Sequence, residues 1–289
     1  MKILITGSKG FLGSFLKNKL KKNNKIIEFD LPKDIRNFSK VNNFIKKKKP
    51  NIIIHTAAAK GAQISNNYPK KFLDVNAVGT LNILESMRIN KIKMIVYISS
   101  SGFYLRSSKI LHEDSKLHYN NPYSLGKAMG EEMVKFYSEK YNIKSLSLRP
   151  NLITGFGLKQ DNLIYDIISE IKQNNTATIF GKGGHVREFI HPLDICSAIE
   201  KWIKIKKKYS YRIYNITCNR YPVIAVVKKI ISYLKMGKIV YKHNENRVFN
   251  LRLSSLKIKK ELKWKSSYNL EYIIKDNYEM FKKGNYYRS

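Results

Sequence analysis

Hydrophobic residues fall along the chain in two alternating textures. Short, nearly solid apolar runs (Lys2 to Thr6, Lys25 to Phe29, Asn51 to His55, Lys93 to Ile98 and Lys144 to Leu148) are separated by longer stretches in which apolar and polar positions interleave. Solid runs bounded by turn residues read as strands buried on both faces, and the interleaved stretches read as helices. Their alternation predicts an α/β domain built on a doubly wound parallel sheet over residues 1–155. Beyond it the spacing predicts a helix over Asn162 to Gln173, a strand over Ala177 to Phe180, a helix near Ile224 to Leu234, a strand near Lys238 to Tyr241 and a terminal helix from Leu270. A smaller α/β substrate domain over 156–188 and 216–289 follows, with 189–215 returning to the first domain. There is no internal repeat and no low-complexity linker.

The first strand runs directly into Gly7-Ser8-Lys9-Gly10-Phe11-Leu12-Gly13. Glycines at that spacing allow a tight turn and close approach of a pyrophosphate, and the free N–H groups of the helix start attract the anion, a Rossmann-type dinucleotide cradle. At the end of the second strand Asp30 stands about where such folds bind the adenosine ribose, which favours NAD. Lys9, a cation inside the loop, leaves NADP open. The structural alternative for Asp30 is a solvated residue before the Leu31-Pro32 turn.

Farther on, Tyr123 and Lys127 stand four apart, hence on one helical face, where an ammonium favours the ionised phenol. A tyrosine so placed serves as acid or base near neutrality. Asn121 followed by Pro122 reads as a helix N-cap and first position, putting Tyr123 in the opening turn. Ser99-Ser100-Ser101 closes the fourth strand, the end at which ligands gather in such sheets, where a serine hydroxyl can donate to a substrate oxygen. A chance Tyr-x-x-x-Lys and a serine-rich loop are the alternatives in a chain with 19 tyrosines.

Taken in order, these segments resemble the extended short-chain dehydrogenase/reductase superfamily, in its NAD-dependent epimerase/dehydratase branch acting on nucleotide sugars. The resemblance runs through Thr6 to Gly13, Asp30, Asp34-Ile35, His55 to Ala59, Asn76 to Thr80, Ser99 to Tyr104, Tyr123 to Lys127, Leu148-Arg149-Pro150, Phe180 to Gly184, Arg187 to His191 and Lys260 to Trp264. It implies a catalytic triad of Ser100, Tyr123 and Lys127. It also implies that Asp34 and Ile35 lie near the adenine, that Ala57, Ala58 and Ala59 line the cofactor channel, that Asn76 sits behind the nicotinamide side, and that Arg187 grips a substrate diphosphate. A surface pair of Arg187 with Glu188 is the bland alternative. Ser101 and Asn151 are the further substrate contacts it suggests, and Gly126 and Gly130 fall on a helix that commonly forms a dimer bundle, which predicts a homodimer or, failing that, tight packing on the sheet.

Departures from the pattern narrow the reaction. Ser101-Gly102 stands where family dehydratases carry an Asp-Glu pair, so a dehydration lacks its acid and base. Gly102 and Asn162 stand where the enzymes making GDP-fucose place a cysteine and a histidine, and Leu152 holds a position at which many members have asparagine, with Asn151 one earlier. What remains is hydride and proton transfer at one sugar carbon, by an epimerase or a 4-keto reductase. The rival is a catalytically silent NAD-binding member acting as a binding or regulatory protein.

Composition alters this picture at one point. The 289-residue chain, 43% hydrophobic and 12% aromatic, suits a globular protein, with no stretch of transmembrane length and an apolar start too short for a signal peptide, so the cytoplasm is expected. Cys196 and Cys218 have neither metal nor disulfide spacing and read as buried thiols. The net charge of +34 raises an anionic partner, but 45 of the 55 basic residues are lysines spread along the chain, a bias that makes nucleic acid an unlikely partner. Lys46 to Lys49 and Lys204 to Lys208 read as solvated helix ends, and the positive field suits capture of an anionic nucleotide sugar.

Overall fold

The computed structural model describes residues 1–158, 162–205, 210–243 and 250–284. The chain forms two compact units, Met1–Leu105 with Lys116–Pro150 and Cys196–Asn215, and Arg106–Ser115 with Asn151–Ile195 and Ile216–Ser289. Residues 206–208 of the second lysine run lie outside the described residues.

In the first unit β1 (Lys2–Thr6), β2 (Lys25–Phe29), β3 (Ile52–His55), β4 (Met94–Ile98), β5 (Lys144–Pro150) and a later strand, β9 (Tyr211–Ile216), form one sheet in the order β2-β1-β3-β4-β5-β9. The pairs β1/β2, β1/β3, β3/β4 and β4/β5 are parallel, with Ile3 opposite both Ile26 and Ile52. Each apolar run supplies a strand because both its faces are covered: Leu4, Ile53, Ile95 and Tyr97 pack against Val41, Ile45, Ile83, Met87 and Val134. The covering helices are α1 (Phe11–Leu20), α2 (Phe38–Lys48), α5 (Gly79–Ile89) and α6 (Pro122–Tyr141), with two short ones, α3 (Ala62–Ser65) and α4 (Pro69–Leu73), before α5. The direction of winding reverses between β1 and β3, which puts the ligand crevice of such a sheet beyond the carboxyl ends of those strands.

Between α4 and α5 the helix passes through a π turn, Asp74–Val78, which the spacing of the sequence does not predict. Gly126 and Gly130 of α6 lie against it: a Cβ on Gly126 would stand 3.0 Å from the Cβ of Asn76, and one on Gly130 would stand 2.4 Å from Tyr97 Oη and 3.1 Å from the Asn76 carbonyl. The two glycines therefore serve tight packing within the unit.

In the second unit β6 (Leu152–Ile153), β8 (Val186–Ile190) and β10 (Asn219–Pro222) form a sheet ordered β10-β8-β6, and β7 (Thr176–Phe180) pairs in parallel with β11 (Lys238–Lys242). Around them α7 (Leu163–Asn174), α9 (Val223–Leu234) and α11 (Leu270–Lys283) close a core that includes Ile168, Ile171, Ile179, Val226, Ile230 and Ile273. A short helix, α10 (Leu256–Leu262), precedes α11, and α8 (Pro192–Lys204) carries the chain from one unit into the other.

The units divide differently from the expected boundaries. The return to the first unit begins at Cys196 rather than 189, because β8 is claimed by its ladders with β6 and β10. Arg106–Ser115 falls in the second unit because Leu111 bridges Leu253.

Candidate active site

At the carboxyl end of β1 the glycine turn is built around Gly7, whose φ of +73° suits a residue without a side chain and whose added Cβ would meet Ala57 N at 2.8 Å. Gly13 is held by a closer constraint, since a Cβ there would stand 2.0 Å from the Gly7 carbonyl oxygen. Gly10 is the N-cap of α1 and no side chain caps the first turn, so the N–H groups of Phe11 and Leu12 stay directed at the crevice. Asp30 is drawn into this turn: Lys9 N donates to its Oδ1 at 3.0 Å and the buried Ser8 hydroxyl lies 2.5 Å from its Oδ2. Ser8 also lies 2.7 Å from Glu28, whose carboxyl is held below its ordinary range by hydrogen bonds from Lys17 and Ser8.

The remaining predicted cofactor residues divide by what their atoms already do. Ile35 is a core residue packed under Gly79. Asp34 takes three hydrogen bonds of 2.5 to 3.1 Å from the Arg36 guanidinium, which holds its carboxyl low. Asn76, at the π turn, forms a closed pair with Ala59, accepting from its N–H at 2.8 Å and donating to its carbonyl at 3.0 Å. Its amide thus fixes the course of Ala57, Ala58 and Ala59 after β3, and the π turn supplies the extra residue that brings it there.

Ser100, Tyr123 and Lys127 all belong to the first unit. Asn121 caps α6 with a reciprocal capping box to Ser124, and Tyr123 sits half-buried in the first turn. One turn on, Lys127 is buried, donates to the carbonyl of Ile98, two residues before Ser100, and lies 4.3 Å from the centroid of the Tyr97 ring. Burial pushes its pKa down to about 7, partly offset by Glu131. Tyr97 marks the convergence: burial first, then the charges of Glu131 and Tyr123, hold its phenol well above the ordinary value. Ser100 Oγ accepts from Gly102 N at 3.0 Å, and its loop is pinned by Ser101 N donating to Pro150 O at 3.2 Å. His55 is enclosed between Thr6 and Thr80 and stays neutral, its pKa lowered to about 3 by burial and by Lys127.

Sequence reasoning missed the brace behind this triad. Arg149 of β5 grips Glu131 of α6 through Nε at 3.1 Å and through a terminal nitrogen at 2.5 Å, and donates to Tyr104 Oη at 2.6 Å. Tyr104 in turn donates to Asn215 at 2.7 Å. The helix of Tyr123 and Lys127 is thereby tied to the segment that follows Ser100.

In the second unit Arg187 lies on β8 among other cations. Burial and the nearby Arg106 push its pKa down to about 10, and His185 is lowered by burial and by Arg187. Asn250 accepts from Val186 N at 2.8 Å and Leu253 N donates to Glu188 at 3.0 Å, which lays Arg252 alongside the same strand. Arg252 Nε and His185 Nδ1 are buried without a hydrogen-bond partner among the described residues. Glu188 is directed away from its neighbour Arg187, as strand alternation requires. It is buried and takes the exposed Arg220 at 2.5 Å and Asn151 Nδ2 at 3.2 Å, so Glu188 pairs with Arg220 rather than with Arg187, the bland alternative for that arginine. Asn151 is thus committed to Glu188 and to Leu152 N at 3.0 Å. Asn162 caps α7 and bonds Thr154 and Asn277, both at 2.7 Å. Arg252 had one signal in the sequence: it is one of only 10 arginines against 45 lysines, and its guanidinium presents a planar fork of donors that lysine lacks.

Neither Cys196 nor Cys218 is in a disulfide; Cys196 is buried, and burial pushes the Cys218 thiol up to about 12. No group of three metal-ligating side chains occurs among the described residues, and none of their helices is long and apolar enough to cross a membrane.

A parallel sheet with an uncapped glycine turn, a strand-end carboxylate and a Tyr-x-x-x-Lys pair whose lysine is buried defines a dinucleotide-dependent enzyme of the short-chain dehydrogenase/reductase class. The model of the NAD dependent epimerase/dehydratase family matches residues 3–217, and the chain belongs to that family. It is similar to the dTDP-D-glucose 4,6-dehydratase of Dictyostelium discoideum, 31% identical over 269 residues that cover 80% of this chain and 62% of the relative. It is similar also to the UDP-glucuronate 4-epimerase of Thermodesulfobacterium geofontis, 27% identical over 88% of this chain and 79% of the relative. The fold matches the UDP-glucuronic acid 4-epimerase of Bacillus cereus solved with NAD, at a TM-score of 0.87 and 20% identity, covering 100% of both chains.

Proposed function

We propose that this protein is an NAD-dependent nucleotide-sugar epimerase or 4-keto reductase, acting at one sugar carbon through Ser100, Tyr123 and Lys127. The observation that carries the reading is the enclosure of Lys127, in helical register with Tyr123 and hydrogen-bonded at the root of the Ser100 loop. The crevice fits a dinucleotide: the turn of Gly7, Gly10 and Gly13 leaves no room for a Cβ at its first and third glycines, and the N–H groups of Phe11 and Leu12 suit the pyrophosphate. Asp30 takes the adenosine ribose and so favours NAD. NAD supplies a hydride acceptor.

Tyr123 takes the proton from the sugar hydroxyl, Ser100 hydrogen-bonds the oxygen as it becomes a carbonyl, and the Lys127 ammonium stabilises the phenolate. In the second unit, the buried and unpartnered nitrogens of Arg252 and His185 beside Arg187 suit a diphosphate dianion. Ser101-Gly102 offers no carboxyl group for a dehydration. Two cysteines outside any disulfide fit a reducing compartment, and apolar stripes on α5 and α6 support a homodimer.

The test is incubation with UDP-, GDP-, CDP- and dTDP-sugars and their 4-keto forms. Isomerisation without added reductant identifies an epimerase, and stoichiometric consumption of NADH or NADPH a reductase. Silence across the panel, with the cofactor bound, overturns the enzymatic reading in favour of a binding or regulatory role.

A further inference from the structure

We propose that the end of the first unit where its strands begin is a docking surface for an anionic lipid bilayer. In a parallel sheet every strand starts at one end, and the helices that return to it finish there. In this chain those starts and finishes are written in lysine. Lys2 and Lys25 are register partners at the openings of β1 and β2, and both are exposed. Lys46 to Lys49 run in an exposed block from the last turn of α2 toward β3, and Lys93, exposed, pairs backbone to backbone with Lys144 at the start of β5. The strand order β2-β1-β3-β4-β5 turns these positions into a row, and adjacent strands lie about 4.8 Å apart. The carboxylates on the segments meeting at this end are few: Glu139 is exposed and Glu200 half-buried, while Glu85 is bound by Arg88.

The chemistry favours a bilayer over a nucleic acid. The row consists of ammonium groups, point charges that suit a diffuse anionic surface, whereas Arg88, at the end of α5, is engaged by Glu85. Of the aromatic rings on these segments, Phe44 is half-buried beside Lys33 and Lys48, Tyr137 is buried, and Tyr141 packs against Arg88, while Phe136 stands exposed on α6. The glycine turn and Ser100 loop, at the other end of the same sheet, stay clear of the contact.

The test is flotation of the full-length protein with vesicles of phosphatidylglycerol and phosphatidylcholine in equal parts, against phosphatidylcholine alone, at 0.05 and 0.3 M salt, conditions of about 2.4-fold different screening length. Two quadruple variants of equal charge are compared, K2Q/K25Q/K46Q/K47Q from the row and K228Q/K259Q/K260Q/K265Q from the second unit. The proposal expects binding to the anionic vesicles only, at least tenfold weaker at the higher salt, lost at least tenfold in the first variant and less than threefold in the second, with unchanged unfolding midpoints in both. Equal losses in the two variants, equal binding to both vesicles, or displacement onto added RNA with the vesicles left unbound would overturn it.

Discussion

An ammonium enclosed as Lys127 is costs the folded state whenever it is protonated, and this gives the residue a signature in stability as well as in chemistry. Its pKa is lowered by burial to about 7, against an unfolded value near 10.4. Between those two limits the unfolded chain binds the proton and the folded chain releases it, so this group's contribution to stability rises with pH across that window. Below the folded value both states are charged and the full cost of burial remains. Lys127→Met removes the titration while keeping the volume. The expected result is a variant whose unfolding midpoint exceeds that of the parent by several degrees at pH 6, with the gap closing toward pH 10. An offset that stays constant with pH would show that Lys127 is not enclosed as described. Activity should move the other way: with a substrate in hand, Lys127→Met loses about 10²-fold or more in kcat, the scale of a general acid–base contribution.

At the scale of elements, the packing of α6 rests on glycine. A methyl group at Gly130 would stand 2.4 Å from the Tyr97 hydroxyl and 2.9 Å from Cζ, on a buried ring that has nowhere to retreat. Gly126 is more tolerant, its nearest neighbours being Asn76 Cβ at 3.0 Å and the Phe72 carbonyl at 3.3 Å. Replacing glycine by alanine inside a helix gains about 1 kcal/mol, while overpacking a core costs about 1–3 kcal/mol. Urea unfolding should therefore find Gly130→Ala destabilised by about 1–2 kcal/mol and Gly126→Ala near neutral. A Gly130→Ala variant as stable as the parent would mean that α6 does not lie as close to β4 as described. These contacts also mark what could be read in advance. The strands, the cap of α6 at Asn121 and the helix from Leu270 follow from local texture, because burial on both faces and capping are written within a few residues. The π turn that carries Asn76 to Ala59 is set by what packs against it. The brace of Glu131 and Arg149 joins residues 18 apart on different elements, and Arg252 stands outside any local motif. Each depends on packing between distant segments, which spacing along the chain does not encode.

For the whole molecule, part of the exposed apolar surface lies in two stripes. Leu125, Met129 and Phe136, at 36%, 45% and 56% exposure, follow one stripe of α6, and Val78, Leu81 and Ile89, at 45%, 38% and 46%, follow one of α5 and the turn before it. The two helices pack side by side within the first unit, so the stripes are neighbours. Apolar patches of this kind on a protein otherwise covered in charge mark an interface, and a chain that meets its own copy does so most simply by a two-fold axis, each patch against the same patch. The high net charge of +34 works against association, so a dimer would have to form through contacts in which lysine is scarce, and both stripes meet that condition. Light scattering should give about twice the chain mass of 33.7 kDa at tens of micromolar protein and ordinary salt. Met129→Glu places an unpaired charge at the centre of the α6 stripe and should yield a folded monomer with an unchanged unit core. A parent that runs as a monomer under these conditions would remove the interface, and would leave those six side chains as surface without a partner.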